Sequence, residues 1–381
     1  MNILVITPDY PDRYKVHYPF VKQLVDEFAR QGHRCFVIAP YSVTKYKRFY
    51  PAIENDGDVM VYRPNHLSFS NLRIGKFSPS DYFRRKALMR ATRWLPVRPD
   101  VVYCHFWECA IEAYPYAKAS NIPLFVATGE SSISSFNITD NVSQEMRDFI
   151  KGVICVSSKN KEESIELGLT TEEKCLVKPN AVNSELFKKL DKAECRKKLG
   201  IPEDRFVISF VGAFINRKGS YRVSEAISCI KDEPVYSIFI GKGDQEPTCE
   251  NIIYKGRLLH EQIPEYLNAS DVFVLPTLAE GCCNAIVEAM SCGLPIISSN
   301  LPFNWDVLDD SNSIMIDPND VGAIAKAIVT LRDDTDLRLR MAEASLAKAQ
   351  ALTIDQRAKE IIDFIQNRKE AYIVNTNVSE E

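Results

Sequence analysis

The chain lacks several features that would each have assigned it elsewhere. No apolar run approaches the roughly 18 residues needed to cross a bilayer, and MNILVITP at the start reads as a strand without a basic leader or cleavage site. A cytoplasmic location is the resulting expectation, optionally peripheral on the inner face of the membrane. A formal net charge of −4 gives no general affinity for nucleic acid. The 11 cysteines are odd in number and scattered, some inside apolar runs (Cys35, Cys104, Cys155), as buried thiols of a reducing compartment are. Cys282 and Cys283 have no metal-ligand spacing around them. The first strand is followed by PDYPDR, with no glycine, which argues against a dinucleotide-binding oxidoreductase. No lysine context suggests a pyridoxal phosphorylase, and no internal repeat or low-complexity tract occurs.

What remains is a 381-residue chain of 45% hydrophobic and 26% charged residues, enough for two ordinary domains. Its most informative stretch is 271–299, DVFVLPTLAEGCCNAIVEAMSCGLPIISS. DVFVLP is a short apolar run closed by Pro276, as a buried strand is. In NAIVEAMSC the residues Ala285, Ile286, Ala289 and Met290 share a helical face, Gly293 and Pro295 stop the helix, and PIISS reads as the next strand. Such a strand–loop–helix–strand unit binds ligands at the carboxyl edge of the sheet. Asn284 is the expected N-cap, leaving backbone N–H groups free for an anion. Glu288, one turn on, could accept the two hydroxyls of a ribose, with Glu280 on the far side of the phosphate.

Glu280, seven residues, then Glu288, within PTLAEGCCNAIVEAMSCGLPII, closely resembles the donor-site signature of retaining glycosyltransferases of family four. The resemblance implies the α/β GT-B fold: two Rossmann-like doubly wound domains facing across a cleft, with a C-terminal helix crossing back to the first. It implies that Glu288 holds the nucleotide ribose and that Glu280 lies beside the transferred sugar. The backbone of Gly281, Cys282, Cys283 and Asn284 would touch sugar and phosphate. The same resemblance places Arg217 and Lys218, in INRKGS after the strand that turns at Gly212, on the donor diphosphate, where two cations suit a leaving anion. It places the backbone around Arg257 and Leu258 near the nucleobase, and aligns CLVKPNAVN (175–183) with a segment leading into the interdomain linker. No metal or other cofactor is implied beyond the nucleotide-sugar co-substrate. Asp56-Gly-Asp58 imitates a metal-binding pair but falls in a surface turn.

The expected domains are 1–185 for the acceptor, completed by a crossover helix at about 356–375, and 186–355 for the donor, with NTNVSEE as a disordered tail. The first half departs from the family. Its first loop has DRYKVHY where relatives have a glycine pair, so Arg13 or Lys15 could take a phosphate or acceptor role. The family's His-Gly after the strand NIPLFVAT is replaced by Gly129 and Glu130, and Glu130 could polarise the acceptor hydroxyl. His105, at the end of DVVYCH, is a second candidate; a satisfied strand-end histidine is the commoner case.

Residues 41–98 hold twelve Lys or Arg against four acids, a balance of +8, with Tyr46, Phe49, Tyr50, Phe69, Phe77, Tyr82, Phe83 and Trp94 interleaved. This is either a solvated excursion or a basic aromatic face for anionic lipid or a lipid-diphosphate acceptor. The expected function is retaining transfer of a sugar from a nucleotide-sugar to a sugar or lipid-linked oligosaccharide acceptor, in polysaccharide, capsule or lipopolysaccharide assembly. The alternative is a non-catalytic nucleotide-sugar-binding subunit or regulator that has kept the donor site.

Overall fold

In the computed structural model of the chain, two compact units form. The first comprises Met1–Val156, Asn160–Lys178 and Arg357–Glu381, and the second Ser157–Lys159 and Pro179–Gln356. The structure describes all residues except 13–17, 47–49, 71, 76, 134–137 and 379–381, and at 45, 46 and 371–378 the backbone alone. Arg13 and Lys15 thus lie outside the described residues. Among the described residues no helix is long and apolar enough to cross a membrane.

The second unit is built on six parallel strands in the spatial order Ile252–Gly256, Tyr236–Ile240, Val207–Val211, Val272–Leu275, Ile296–Ser299 and Ser313–Ile316. Strands such as VFVL and IISS are buried along their whole length, because helices cover both faces of a parallel sheet. The strand order reverses between Val207–Val211 and Val272–Leu275. The loops leaving that pair, 212–219 and 276–283, therefore flank the crevice where doubly wound sheets take ligands.

Glycines let the first of these loops close up. A Cβ on Gly241 would lie 1.9 Å from the Gly212 carbonyl oxygen, and one on Gly243 2.0 Å from that of Phe214. The GKG turn, unremarkable in sequence, is thus required by the close approach of two chain segments.

The main sheet of the first unit has, among the described residues, eight strands in the order Cys175–Val177, Ile150–Cys155, Leu124–Thr128, Val101–His105, Asn2–Ile6, Arg34–Ile38, Val59–Tyr62 and Ile53–Asp56. All pair in parallel except the last, which forms a hairpin across Gly57. Here the order reverses between Asn2–Ile6 and Val101–His105. The final helix, Ile354–Val378, runs into the stretch expected to be disordered, NTNVSEE, of which only 379–381 lie outside the described residues. Its Phe364 lies against Gly152, where a Cβ would sit 2.5 Å from the ring.

The division falls after Lys178, earlier than the 185 expected. The reason is local: Asn180 donates to the Cys282 carbonyl at 2.9 Å, and Val182 bridges to Thr353, tying PNAVN into the second unit. The charged stretch that follows forms the helix Lys192–Leu199, capped by Asp191 and ended by Gly200 at φ 68°.

Candidate active site

In the second unit the strand Val272–Leu275 delivers loop 276–283, and the helix Asn284–Ser291 follows. The N-cap is Cys283, in extended conformation, and not Asn284 as expected; Asn284 is the first helical residue. The correction changes what its side chain does. Instead of capping the helix, Asn284 has its Oδ1 buried with no hydrogen-bond partner among the described residues. A buried acceptor without a donor costs about 1–3 kcal/mol, which a ligand hydroxyl or amide would recover.

The two loops at the switch point are sewn together. Leu278 N–H donates to the Arg217 carbonyl at 2.8 Å, and Arg222 donates to the carbonyls of Pro276 and Asn216, each at 2.8 Å. Gly219, at φ 83°, opens the helix Ser220–Cys229; a Cβ there would lie 2.8 Å from the Pro276 carbonyl oxygen. This stitching brings three of the expected residues into contact. Glu280 Oε1 accepts from Arg217 Nη1 at 2.7 Å, from Lys218 Nζ at 2.7 Å and from the Thr277 hydroxyl at 2.8 Å. Burial alone would depress the Lys218 ammonium, but the Cys283 sulfur and the Glu280 carboxylate outweigh it and raise its pKa. Two cations and one carboxylate thus form a preassembled cluster with positive excess beside a helix N-terminus, a setting suited to an anion.

Glu288 lies one turn into the helix and is nearly buried. Its Oε1 is 2.9 Å from His260 Nε2, and the imidazole packs on Phe187 with ring centroids 4.9 Å apart. Burial lowers the His260 pKa, but the hydrogen bond and charge of Glu288, with Glu261, outweigh that and raise it above the ordinary value. His260 was missed in the sequence. Its signal was position alone: it stands two residues after the Arg257–Leu258 segment. The Arg257 carbonyl accepts from the Tyr254 hydroxyl at 2.9 Å, and Leu258 packs against the core of this unit. Asn180 and Thr277, also unflagged, hold the loop through the Cys282 carbonyl and Glu280.

Of the two tentative residues of the first unit, Glu130 lines a cavity at that unit's own switch point, and His105 is not among the residues that line it. The cavity, of about 240 Å³, is lined by Pro8, Tyr18, Phe106, Glu108, Gly129, Glu130, Ser131 and Ile138. Tyr18 and Phe106 both have positive φ, at 53° and 76°. Non-glycine residues held there cost about 1–3 kcal/mol each and concentrate at functional sites. Glu130 differs from a free base. Its Oε1 accepts the Trp107 N–H at 3.0 Å, and its Oε2 accepts the Thr128 hydroxyl at 2.6 Å and the Gly129 N–H at 2.8 Å. Burial raises its pKa against those bonds. The carboxylate receives the first N–H of the helix Trp107–Ala119 and so fixes the cavity wall. His105 is 4% exposed, and burial, with Arg357 nearby, holds its pKa down at about 3. Its imidazole is neutral and enclosed by Tyr103, Phe106 and Phe20 rings.

The basic stretch 41–98 is less available than its composition suggests. Arg63 is buried and donates to the carbonyls of Tyr10 and Pro11, and Arg84 pairs with Glu108 and Glu112. Arg90 binds Asn65, and Arg98 binds the carbonyls of Ser120 and Asn121. Asp56, of the metal-like pair, is bonded to Lys22.

Comparison with known proteins agrees with this architecture unit by unit. Residues 20–186 match the family described as Glycosyltransferase Family 4, and residues 205–334 match Glycosyl transferases group 1. A putative teichuronic acid biosynthesis glycosyltransferase of Bacillus subtilis is 26% identical over 352 residues, 86% of this chain and 88% of the relative. The UDP-Gal:alpha-D-GlcNAc-diphosphoundecaprenol alpha-1,3-galactosyltransferase of Escherichia coli is 31% identical over 236 residues, 57% of this chain and 61% of the relative. Among solved structures, sucrose-phosphate synthase from Thermosynechococcus elongatus superposes with TM-score 0.82 at 16% identity, covering 97% of this chain and 100% of that one. Anabaena HepE in complex with UDP superposes with TM-score 0.76 at 17% identity, covering 96% and 100%. At such identities these structures establish the fold alone. The two matched halves, the relatives and the fold agree: the chain is a transferase enzyme and belongs to the family-4 glycosyltransferases of GT-B fold.

Proposed function

We propose that this glycosyltransferase moves a sugar from a nucleotide-sugar, with retention at the anomeric carbon, to a hydroxyl of a lipid-linked glycan during cell-surface polysaccharide assembly. The observation that carries the donor half is the arrangement at the second switch point. There Glu288 is held by His260 one turn into a helix, and the Arg217–Lys218–Glu280 cluster lies beside that helix's start. A ribose diol on Glu288 and a diphosphate on the cations fit one extended molecule. As the diphosphate leaves, Lys218 and Arg217 turn from Glu280 toward the growing negative charge, a stabilisation made mainly in the transition state. The departing phosphate oxygen accepts the acceptor's proton on the same face, so no protein nucleophile is needed. With two cations and helix N–H groups serving the leaving group, no divalent metal is required.

The acceptor half is supported by the cavity of the first unit and by the relatives' names, which include the diphosphoundecaprenol galactosyltransferase. One structural neighbour, Anabaena HepE, was solved with UDP, with UDP and glucose, and with UDP-glucose, so UDP-sugars are the first donors to test. A binding subunit without turnover is not favoured, since the relatives are named as transferases. Thermal-shift measurement against a panel of nucleotide-sugars at equal concentration tests the reading, because a ligand that binds only the folded state stabilises it more the tighter it binds. A shift for one nucleotide class is expected; no shift with any member would overturn the donor assignment.

A further inference from the structure

The exposed apolar residues of this chain are not scattered. Of the thirteen large hydrophobic side chains that stand out in solvent among the described residues, seven fall within 67–83: Leu67, Phe69, Leu72, Ile74, Phe77, Tyr82 and Phe83. Ile74 is 67% exposed and Phe77 49%. These two pair across a tight turn with hydrogen bonds of 2.9 and 3.1 Å, Gly75 supplying φ 61°. Behind the hairpin the rings cluster, Phe69 on Phe83 at 5.8 Å and Phe77 on Tyr82 at 5.8 Å, so the group keeps its shape without being covered. Single exposed hydrophobics need no explanation; a contiguous group of this kind marks an interaction surface.

The charges beside it decide what covers it. Arg73, Arg85 and Lys86 are exposed on the same stretch, Lys86 lying over the Tyr82 ring at 5.6 Å, whereas Asp81 is half-buried in the first turn of the helix Pro79–Ala91. A second copy of this chain docking here by two-fold symmetry would set these cations against themselves. A bilayer with anionic headgroups meets both features at once: apolar and aromatic side chains enter the interface while lysine and arginine stay at headgroup level.

We propose that the Ile74–Phe77 pair and the rings of Phe69, Tyr82 and Phe83 beside it form an interfacial anchor that inserts into an anionic membrane surface. Apolar insertion supplies most of the binding and charge the lesser part, because Arg63 is buried and Arg84 is paired with Glu108 and Glu112. The anchor rests on the proposed lipid-linked acceptor for its purpose and on its own geometry for its existence.

The test uses the full chain and sedimentation with vesicles of phosphatidylcholine alone or mixed with phosphatidylglycerol. Wild type should partition onto mixed vesicles and, more weakly, onto phosphatidylcholine. Ile74→Ser with Phe77→Ser should cut partitioning at least about tenfold on both. Arg85→Gln with Lys86→Gln should cut it by about fivefold per cation on mixed vesicles only. UDP-sugar hydrolysis without acceptor, and the melting temperature, should match wild type in both variants, showing that the fold and donor site are intact. Equal sedimentation of wild type and the apolar double variant would overturn the anchor. So would a wild type that stays in the supernatant, or a dimer in solution that the apolar variant abolishes. Vesicle binding by a protein that turns over no nucleotide-sugar would leave the anchor standing and remove the transferase reading; turnover without vesicle binding would do the reverse.

Discussion

Glu280→Gln separates the two tasks given to the cluster at the second switch point. Glu280 Oε1 takes three hydrogen bonds, from Arg217, Lys218 and Thr277, between 2.7 and 2.8 Å. The Glu280 and Lys218 side chains are 12% and 15% exposed, so their bond is only partly screened; Arg217, at 39%, is screened more. A hydrogen bond to a charged group contributes about 1.5–3 kcal/mol, and the Arg217 bond belongs below that range. The amide keeps the shape and the Thr277 bond but removes the charge, so the loop should lose about 2–3 kcal/mol of local stability. The same change releases both cations. Free UDP, which needs them and not the sugar contact, should therefore bind as well as to wild type or more tightly. Transfer should suffer, because the carboxylate beside the sugar is gone: kcat should fall about 100-fold or more, by analogy with other lost transition-state partners. Arg217→Ala and Lys218→Ala should lose kcat comparably and weaken UDP as well. Steady-state kinetics with calorimetric UDP titration decide this, on variants whose circular dichroism matches wild type. A Glu280→Gln protein with wild-type kcat and UDP binding weakened tenfold would refute the reasoning.

Three further outcomes follow from the same structure. Turnover should survive EDTA, because Arg217 and Lys218 supply the charge that a metal would; loss with EDTA and recovery with magnesium or manganese would show otherwise. Arg84→Ala should destabilise the first unit by about 3–5 kcal/mol in urea melts, since it strands Glu112, whose side chain is 5% exposed, while Lys86→Ala should change little; equal small effects would mean that Arg84 is an ordinary surface base. His260 has a raised folded pKa, so the stabilisation from its contact with Glu288 is present below the ordinary histidine value and is lost as pH rises through the raised one. The melting-temperature gap between wild type and His260→Gln should be widest below the ordinary histidine value and narrow as pH rises through the raised one; a gap that widens with pH would reverse the assignment.

The parts of the site that could be read from sequence were those carried by local pattern. The apolar runs around 271–299 and the helical spacing of Ile286, Ala289 and Met290 define strand, loop and helix without outside help, and both glutamates follow. What could not be read depended on contacts between distant segments. His260 meets Glu288 across 28 positions, Asn180 meets Cys282 across 102, and Arg84 meets Glu112 across 28. The helix cap moved by one residue because Cys283 is the last extended residue of the loop, which side-chain preference at Asn284 could not reveal. The basic stretch 41–98 could be read only in part for a related reason. Composition counts charges, and only the fold shows that Arg63 is buried and Arg84 is paired with Glu108 and Glu112, while Ile74, Phe77 and the rings near them stand in solvent.

The central claim is that the nucleotide lies on the helix Asn284–Ser291 with its ribose on Glu288. Calorimetric titration of UDP into wild type and Glu288→Gln tests it most directly. Loss of a charged acceptor, about 1.5–3 kcal/mol, should raise the Kd by about 10- to 150-fold, with a smaller change in kcat when the sugar donor is supplied at saturation. A Glu288→Gln protein that binds UDP with the wild-type Kd would contradict the account.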